Sequence, residues 1–144
     1  MTTESDFWHE HVKALRSFGR VMRLENILDK GTSDVIYNLR WLHEPSRMGW
    51  VELKRLPKWP VLPGTNVWLP HYTYEQAFFL EQWGKSGAGA FLLAHIANEF
   101  VLVRWDHAVT VQCGVTKSVL LALACVHDYK RFPVAKVLRC LTAT

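Results

Sequence analysis

Asp34, Glu52 and Lys54 are the residues whose types and spacing could do chemistry. Asp34 lies in Gly31-Thr32-Ser33-Asp34-Val35-Ile36-Tyr37, and the other two lie in Gly49-Trp50-Val51-Glu52-Leu53-Lys54-Arg55. Both stretches read as strands, because Val35, Ile36, Tyr37, Trp50, Val51 and Leu53 are β-formers. Val51 and Leu53 alternate with Glu52 and Lys54. A period of two therefore sets the carboxylate and the ammonium side by side on one face of a strand. With a second carboxylate on a neighbouring strand, the set suits metal-assisted hydrolysis. The same residue types also suit a sheet with surface charges, so the surrounding elements must decide.

Residues 5–17 read as an amphipathic helix, capped by Ser5 and closed by Gly19. The cluster His9-Glu10-His11 lies on it, but helical neighbours point about 100° apart, so the three cannot share one ion. A first strand is expected over 20–28, followed by a turn at Asp29-Lys30-Gly31. The Asp34 strand runs to Leu39, a loop spans 41–48, and the short connection predicts an antiparallel pair with the Glu52 strand. Pro57, Pro60, Pro63, Gly64 and Pro70 make 56–70 a loop. That loop carries Trp59 and Trp68, which either pack on the domain or stack on a base. Thr73 caps a helix over 74–85 whose expected core face is Ala77, Phe78, Leu80 and Trp83. Residues 89–96 form a nearly continuous apolar strand, as at the centre of a sheet. A further strand follows over 100–105. A last long helix is expected from Thr116 or Ser118 to Tyr129, and a short one over 134–141 after Pro133. The order is helix, three strands, helix, strand, strand, helix.

The chain has 144 residues, 49% of them hydrophobic, which suits one domain (1–144) with a real core. The N-terminal Met1-Thr2-Thr3-Glu4-Ser5-Asp6 lacks the pattern of a signal peptide, and no apolar run reaches the length of a membrane span. A cytoplasmic location without membrane attachment is therefore expected. Cys113, Cys125 and Cys140 are odd in number and widely spaced, and they read as reduced thiols. The net charge of +4 is uneven. Residues 107–144 hold Lys117, Lys130, Arg131, Lys136 and Arg139 against Asp128 alone, while residues 1–106 balance to zero. The basic section suits phosphate contacts, or it keeps a hydrophobic helix in solution.

With Asp34 behind a Gly-x-x-Asp approach, Glu52-Leu53-Lys54 as an E-x-K signature and Gln76 near the start of the next helix, the chain resembles the PD-(D/E)XK nuclease superfamily. The resemblance is to its VRR-NUC and Holliday-junction resolvase-like branches and covers roughly residues 5–105. Ser33 departs from the pattern where the superfamily's name puts proline, a variable position among members. The resemblance implies an α/β fold with a restriction-endonuclease-like αβββαβ core, a mixed sheet, and an added basic helical section over about 106–144. It implies a Mg²⁺- or Mn²⁺-dependent endonuclease that hydrolyses DNA phosphodiesters, with branched or structured DNA as substrate.

Asp34 and Glu52 would then be side-chain ligands, with the Leu53 carbonyl as a third and Glu10 as the first-helix carboxylate that several branches add. Glu25 is a substitute for Glu10. Hard oxygen ligands favour Mg²⁺ or Mn²⁺. Lys54 would orient a water or stabilise developing charge, and Gln76 would hydrogen-bond that water, a phosphate or Lys54. Arg55 and Lys58 beside the signature, and Lys117, Lys130 and Arg131 in the basic section, are candidate phosphate contacts. A symmetric homodimer through the exposed faces of 118–141 follows the same resemblance, and the compact single domain suits an origin in a bacterial or phage-infected cell. The alternative is a module on this fold that binds nucleic acid or a host protein without cutting. The chemistry does not use a 2′-hydroxyl, so RNA would satisfy it equally.

Overall fold

In a computed structural model of the protein, residues 3–24 and 31–143 are described. The first helix, α1 (Glu4–Glu10), begins two residues earlier than a Ser5 cap would place it. Thr3, not Ser5, is its cap. The Thr3 hydroxyl accepts from the Asp6 amide at 3.1 Å, while the Asp6 carboxylate accepts from the Thr3 amide at 2.8 Å. This reciprocal box satisfies two otherwise orphaned amides. The helix does not continue to Ser17 as expected; a 3₁₀ segment takes over across Val12–Phe18.

Three strands follow: β1 (Gly19–Arg23), β2 (Val35–Leu39) and β3 (Arg47–Leu56). The second half of the strand expected over 20–28, including Glu25, lies outside the described residues. β1 pairs antiparallel with β2, and β2 pairs antiparallel with β3, as the short connection predicts. A two-residue strand, β4 (Asn66–Val67), interrupts the proline-rich loop, and α2 (Tyr74–Lys85) comes after it. β5 (Gly89–Ile96) returns parallel to β3, and β6 (Glu99–Arg104) folds back antiparallel on β5.

The C-terminal section differs from expectation. A 3₁₀ turn over Trp105–His107 leads into α3 (Ala108–Gln112). Next come β7 (Val115–Thr116), paired with β4, and α4 (Lys117–Leu123). The helix expected to reach Tyr129 ends at Leu123, and β8 (Val126–Tyr129) is a strand on the outer edge of β6. Local helical periodicity loses here to the unpaired edge of β6, whose amides and carbonyls need a partner. The Cys125 amide opens that pairing by donating to the Leu102 carbonyl at 2.9 Å. Finally α5 (Val134–Thr142) forms as expected after Pro133.

Among the described residues, six strands form one mixed sheet in the order β1-β2-β3-β5-β6-β8, antiparallel except for the central β3–β5 pair. Both faces are covered. One core joins α1, the 3₁₀ segment and α5 to Val51, Leu53, Phe91 and Leu93. The other joins α2, α3 and α4 to Leu92, Ala94, Ile96 and Val103. All eight residues of β5 are buried, which explains its unbroken apolar run. On α2 the buried face is Ala77, Leu80 and Gly84, whereas Phe78 and Trp83, expected in the core, are about two-fifths exposed. Gly84 takes the core position because a Cβ there would stand 2.0 Å from the Trp105 ring. Between β3 and β5, Gly49 and Gly89 make room for the Tyr37 hydroxyl, which donates to the Leu141 carbonyl of α5 at 2.8 Å. No helix among the described residues is long and apolar enough to cross a membrane.

Candidate active site

β2 stops at Val35, opposite Val51, while β3 runs on to Leu56. The segment of β3 beyond that point therefore has a partner on the β5 side only, and Asp34 fills the gap. Its carboxylate accepts from the Leu53 amide at 3.1 Å, and its own amide donates to the Glu52 carboxylate at 3.3 Å. These two bonds fix both carboxylates against the sheet. In a strand a residue's N–H and C=O face the same neighbour. The Leu53 carbonyl therefore faces the Asp34 side, where a third oxygen ligand was expected.

The period of two holds. Glu52 and Lys54 share the face of Trp50, and Val51 and Leu53 pack in the opposite core. The alternative of surface charges fails on burial, since Glu52 is 0% and Lys54 2% exposed. The Lys54 ammonium sits 3.3 Å from Glu52 Oε1 and 3.6 Å from Glu4 Oε1, and it donates to the His71 carbonyl at 3.0 Å. The Tyr72 ring lies beneath it.

Burial pushes the Glu52 carboxyl well above the usual carboxylate range. Asp34 raises it further, and Lys54 only partly offsets the two. Glu4 is raised for the same reasons, with burial first, Lys54 opposing and Asp34 adding. Glu52 Oε1 makes no hydrogen bond of good geometry despite its nearness to Lys54. Lys54, its one neighbouring cation among the described residues, thus forms an ion pair with it but no well-directed hydrogen bond.

The carboxylate that α1 brings to this place is Glu4. Glu10, the expected one, lies at the other end of the helix, more than half exposed and 3.9 Å from His11. The only sequence signal for Glu4 was the Thr3–Asp6 capping box, which sets where the helix starts. His71 was also missed, because it acts through its carbonyl. Its backbone is left-handed (φ 59°), a conformation that aims that carbonyl at Lys54 and is uncommon outside glycine.

A cavity of about 550 Å³ opens over these groups, lined by Glu4, Asp34, Lys54, His71 and Gln76 among others. Gln76 is on its wall as expected. Its Oε1 is already used in a second capping box, accepting from the Thr73 amide at 3.0 Å, so its amide nitrogen is the end left for the cavity. Gly31 (φ 89°) packs so closely on the Glu75 backbone that a Cβ would stand 2.9 Å from it, which sets the approach to Asp34 against the start of α2.

A comparison with known protein families finds no match for this chain, and neither does one with curated proteins. The site is therefore read from its own geometry.

The candidate phosphate contacts are dispersed. Arg55 lines the cavity, but its guanidinium donates to the Leu56 and His95 carbonyls at 2.6 and 2.8 Å. Lys58 is exposed, one residue past Pro57 on the cavity rim. Lys117 pairs with Glu99 at 3.6 Å and lies over the Trp59 ring. Lys130 and Arg131 follow β8, three strands from β3, which is roughly 14 Å across a sheet. Trp59 is a packing residue: its indole donates to Glu99 and its ring rests on the second core. Trp68 is 59% exposed.

Among the described residues, no three His, Cys, Asp or Glu side chains form a ready-made metal cage. Two carboxylates and a strand carbonyl nevertheless fit a small hard cation, which keeps several of its own waters and needs few protein ligands. Such a cation would also add a partner for Glu52 Oε1, which makes no hydrogen bond of good geometry.

Proposed function

We propose that the protein is a metal-dependent nuclease that hydrolyses phosphodiesters in DNA, of the PD-(D/E)XK type. One observation carries the reading: a buried Glu-x-Lys pair and an Asp are held together where β2 ends and β3 continues. The order α1, β1, β2, β3, α2, β5 supports a restriction-endonuclease-like core. Asp34, Glu52 and the Leu53 carbonyl would hold Mg²⁺ or Mn²⁺. When bound, such an ion lowers the pKa of a water and adds positive charge beside the phosphate.

The chain's own residues do the rest. Burial excludes bulk water from Glu52 and Lys54, so their charges act in a weakly screening medium. Lys54 keeps its ammonium at the cavity floor through Glu52, Glu4 and the His71 carbonyl. From there it stabilises charge that develops on the phosphate oxygens. The Gln76 amide nitrogen donates to a phosphate oxygen or orients the attacking water. Branched or structured DNA is the proposed substrate class, and a homodimer the proposed assembly.

The test is a cleavage assay with Mg²⁺ or Mn²⁺ on single strand, duplex, flap, splayed arm and four-way junction, for wild type and Glu52→Gln. Cutting by wild type alone, abolished by EDTA, is expected. If neither protein cuts anything, yet both shift the DNA equally, the chain is a binding module. That second reading draws on the ion pairs that already occupy Lys54.

A further inference from the structure

The reaction cavity has little positive charge to spare for the polyanion it is proposed to take. Its charged walls are Glu4 and Asp34 against Lys54 and Arg55. Lys54 is already shared with Glu4 and the buried Glu52 beneath, and Arg55 donates to two carbonyls. A polyanion needs positive charge close by that these residues do not spend on one another.

A second cavity, about 630 Å³, adjoins the first and shares Glu4, Ser5 and Asp34 with it. The rest of its polar wall is His9, Arg16 and Arg23. Arg16 is pre-oriented, with its Nε donating to the Val21 carbonyl at 3.2 Å and its guanidinium over the Trp8 ring. Trp8 is 4% exposed, so it serves as a platform for the arginine and not for a base. Among the described residues, neither Arg16 nor Arg23 has a carboxylate within ion-pair distance. Burial holds the Glu4 carboxyl above its usual range, and the Arg23 charge is the smallest of the influences that oppose it, which places Arg23 within electrostatic reach of the site. The two arginines come from different elements, the 3₁₀ segment and β1, which converge on one cavity.

We infer that Arg16 and Arg23 form a phosphate-binding subsite for the strand next to the one being cut, so that nucleic acid crosses from this cavity into the reaction cavity over Asp34. The inference rests on the nuclease reading for the identity of its ligand. It assigns backbone binding to the α1–β1 side of the molecule and away from the basic C-terminal section. A planar guanidinium fixed on a ring suits a phosphate, to which it offers two parallel donors.

The test is a binding measurement without divalent metal, so that no cutting is involved. Fluorescence anisotropy of labelled duplex and four-way junction is recorded in EDTA across a salt series, for wild type, Arg23→Gln, Arg16→Ala and Lys130→Ala. Thermal melting checks each fold, and Arg23→Gln serves if Arg16→Ala fails to fold. Arg23→Gln is expected to weaken binding about tenfold and lower the salt slope by roughly one, while Lys130→Ala stays within about twofold of wild type. Wild-type affinity in Arg23→Gln, or loss concentrated in Lys130→Ala, overturns the inference, as does absence of binding by the wild type. Arginine-dependent binding by a protein that cuts nothing in Mg²⁺ would sink the nuclease reading and leave the subsite standing.

Discussion

Strands β3 and β5 lie side by side, parallel and in register, Glu52 against Leu92 and Lys54 against Ala94. Both pairs are at most 2% exposed. Yet β5 fills its positions with hydrocarbon and β3 fills them with a carboxylate and an ammonium. Leu92 and Ala94 gain from leaving water. Glu52 and Lys54 lose hydration that their 3.3 Å contact only partly restores. A buried ion pair is thus a poor device for stability, and the proposed chemistry would account for its place in the middle of a sheet.

Substitutions on the two strands should separate these roles. Lys54→Met is expected to lower the cleavage rate by about 10²–10⁴-fold, read from initial rates on the preferred substrate. Its counterpart Leu92→Ala should cost roughly 2–5 kcal/mol of folding stability, read from denaturant midpoints. Any rate it loses should return at lower temperature, where more of the protein is folded. Replacing the pair by hydrocarbon, Glu52→Leu with Lys54→Met, should abolish cutting while leaving stability neutral or raised by about 1–4 kcal/mol. A double variant that unfolds would show that β3 needs its charges for the fold.

The comparison extends to pH. Burial and Asp34 raise the Glu52 carboxyl, so the folded chain binds a proton there that the unfolded chain has already released. Without metal, this group's stabilising contribution is complete below the usual carboxylate range and is lost as pH rises through the raised value. Mg²⁺ favours the ionised form, so its stabilising effect should grow with pH, which melting curves with Mg²⁺ or EDTA would register. On the opposite face, burial, with help from Arg55 and His11, holds His95 down to about 4. Its contribution has the other sign: present above the ordinary histidine range, and lost as pH falls toward 4. Replacing His95 by Phe, which would stack on Phe100 as the imidazole does, should flatten that acid-side loss. The smallest difference expected is between two glutamates of α1. Glu4→Gln, which removes one of the partners of Lys54, should slow cutting roughly tenfold, about 1.4 kcal/mol. Glu10→Gln should change the rate less than about twofold.

Legibility in the sequence followed periodicity. The alternation at 51–54 specifies which side chains share a face, the apolar run at 89–96 marks a central strand, and Thr73 announces α2. Each signal is local, and the structure keeps each. The signals that misled were also local but were outvoted by distant partners. Residues 118–129 carry a helical pattern, and the free edge of β6 takes the last part of it as β8. Phe78 and Trp83 look like core, but Trp105 takes the space beside Gly84. At the site, the resemblance assigns the first-helix carboxylate to Glu10, whereas Glu4 reaches Lys54 only because the capping box starts the helix at that residue. Arg16 and Arg23 converge on one cavity through the path of the chain, which no spacing rule encodes.

The Tyr37 hydroxyl holds the Leu141 carbonyl across 104 positions of sequence. Tyr37 belongs to β2, the strand whose end presents Asp34. This anchor to α5 cannot form until residue 141 is in place. Such long-range closure comes late and slows folding. On the nuclease reading, the strand that presents Asp34 would be locked to α5 only after residue 141 has joined the fold.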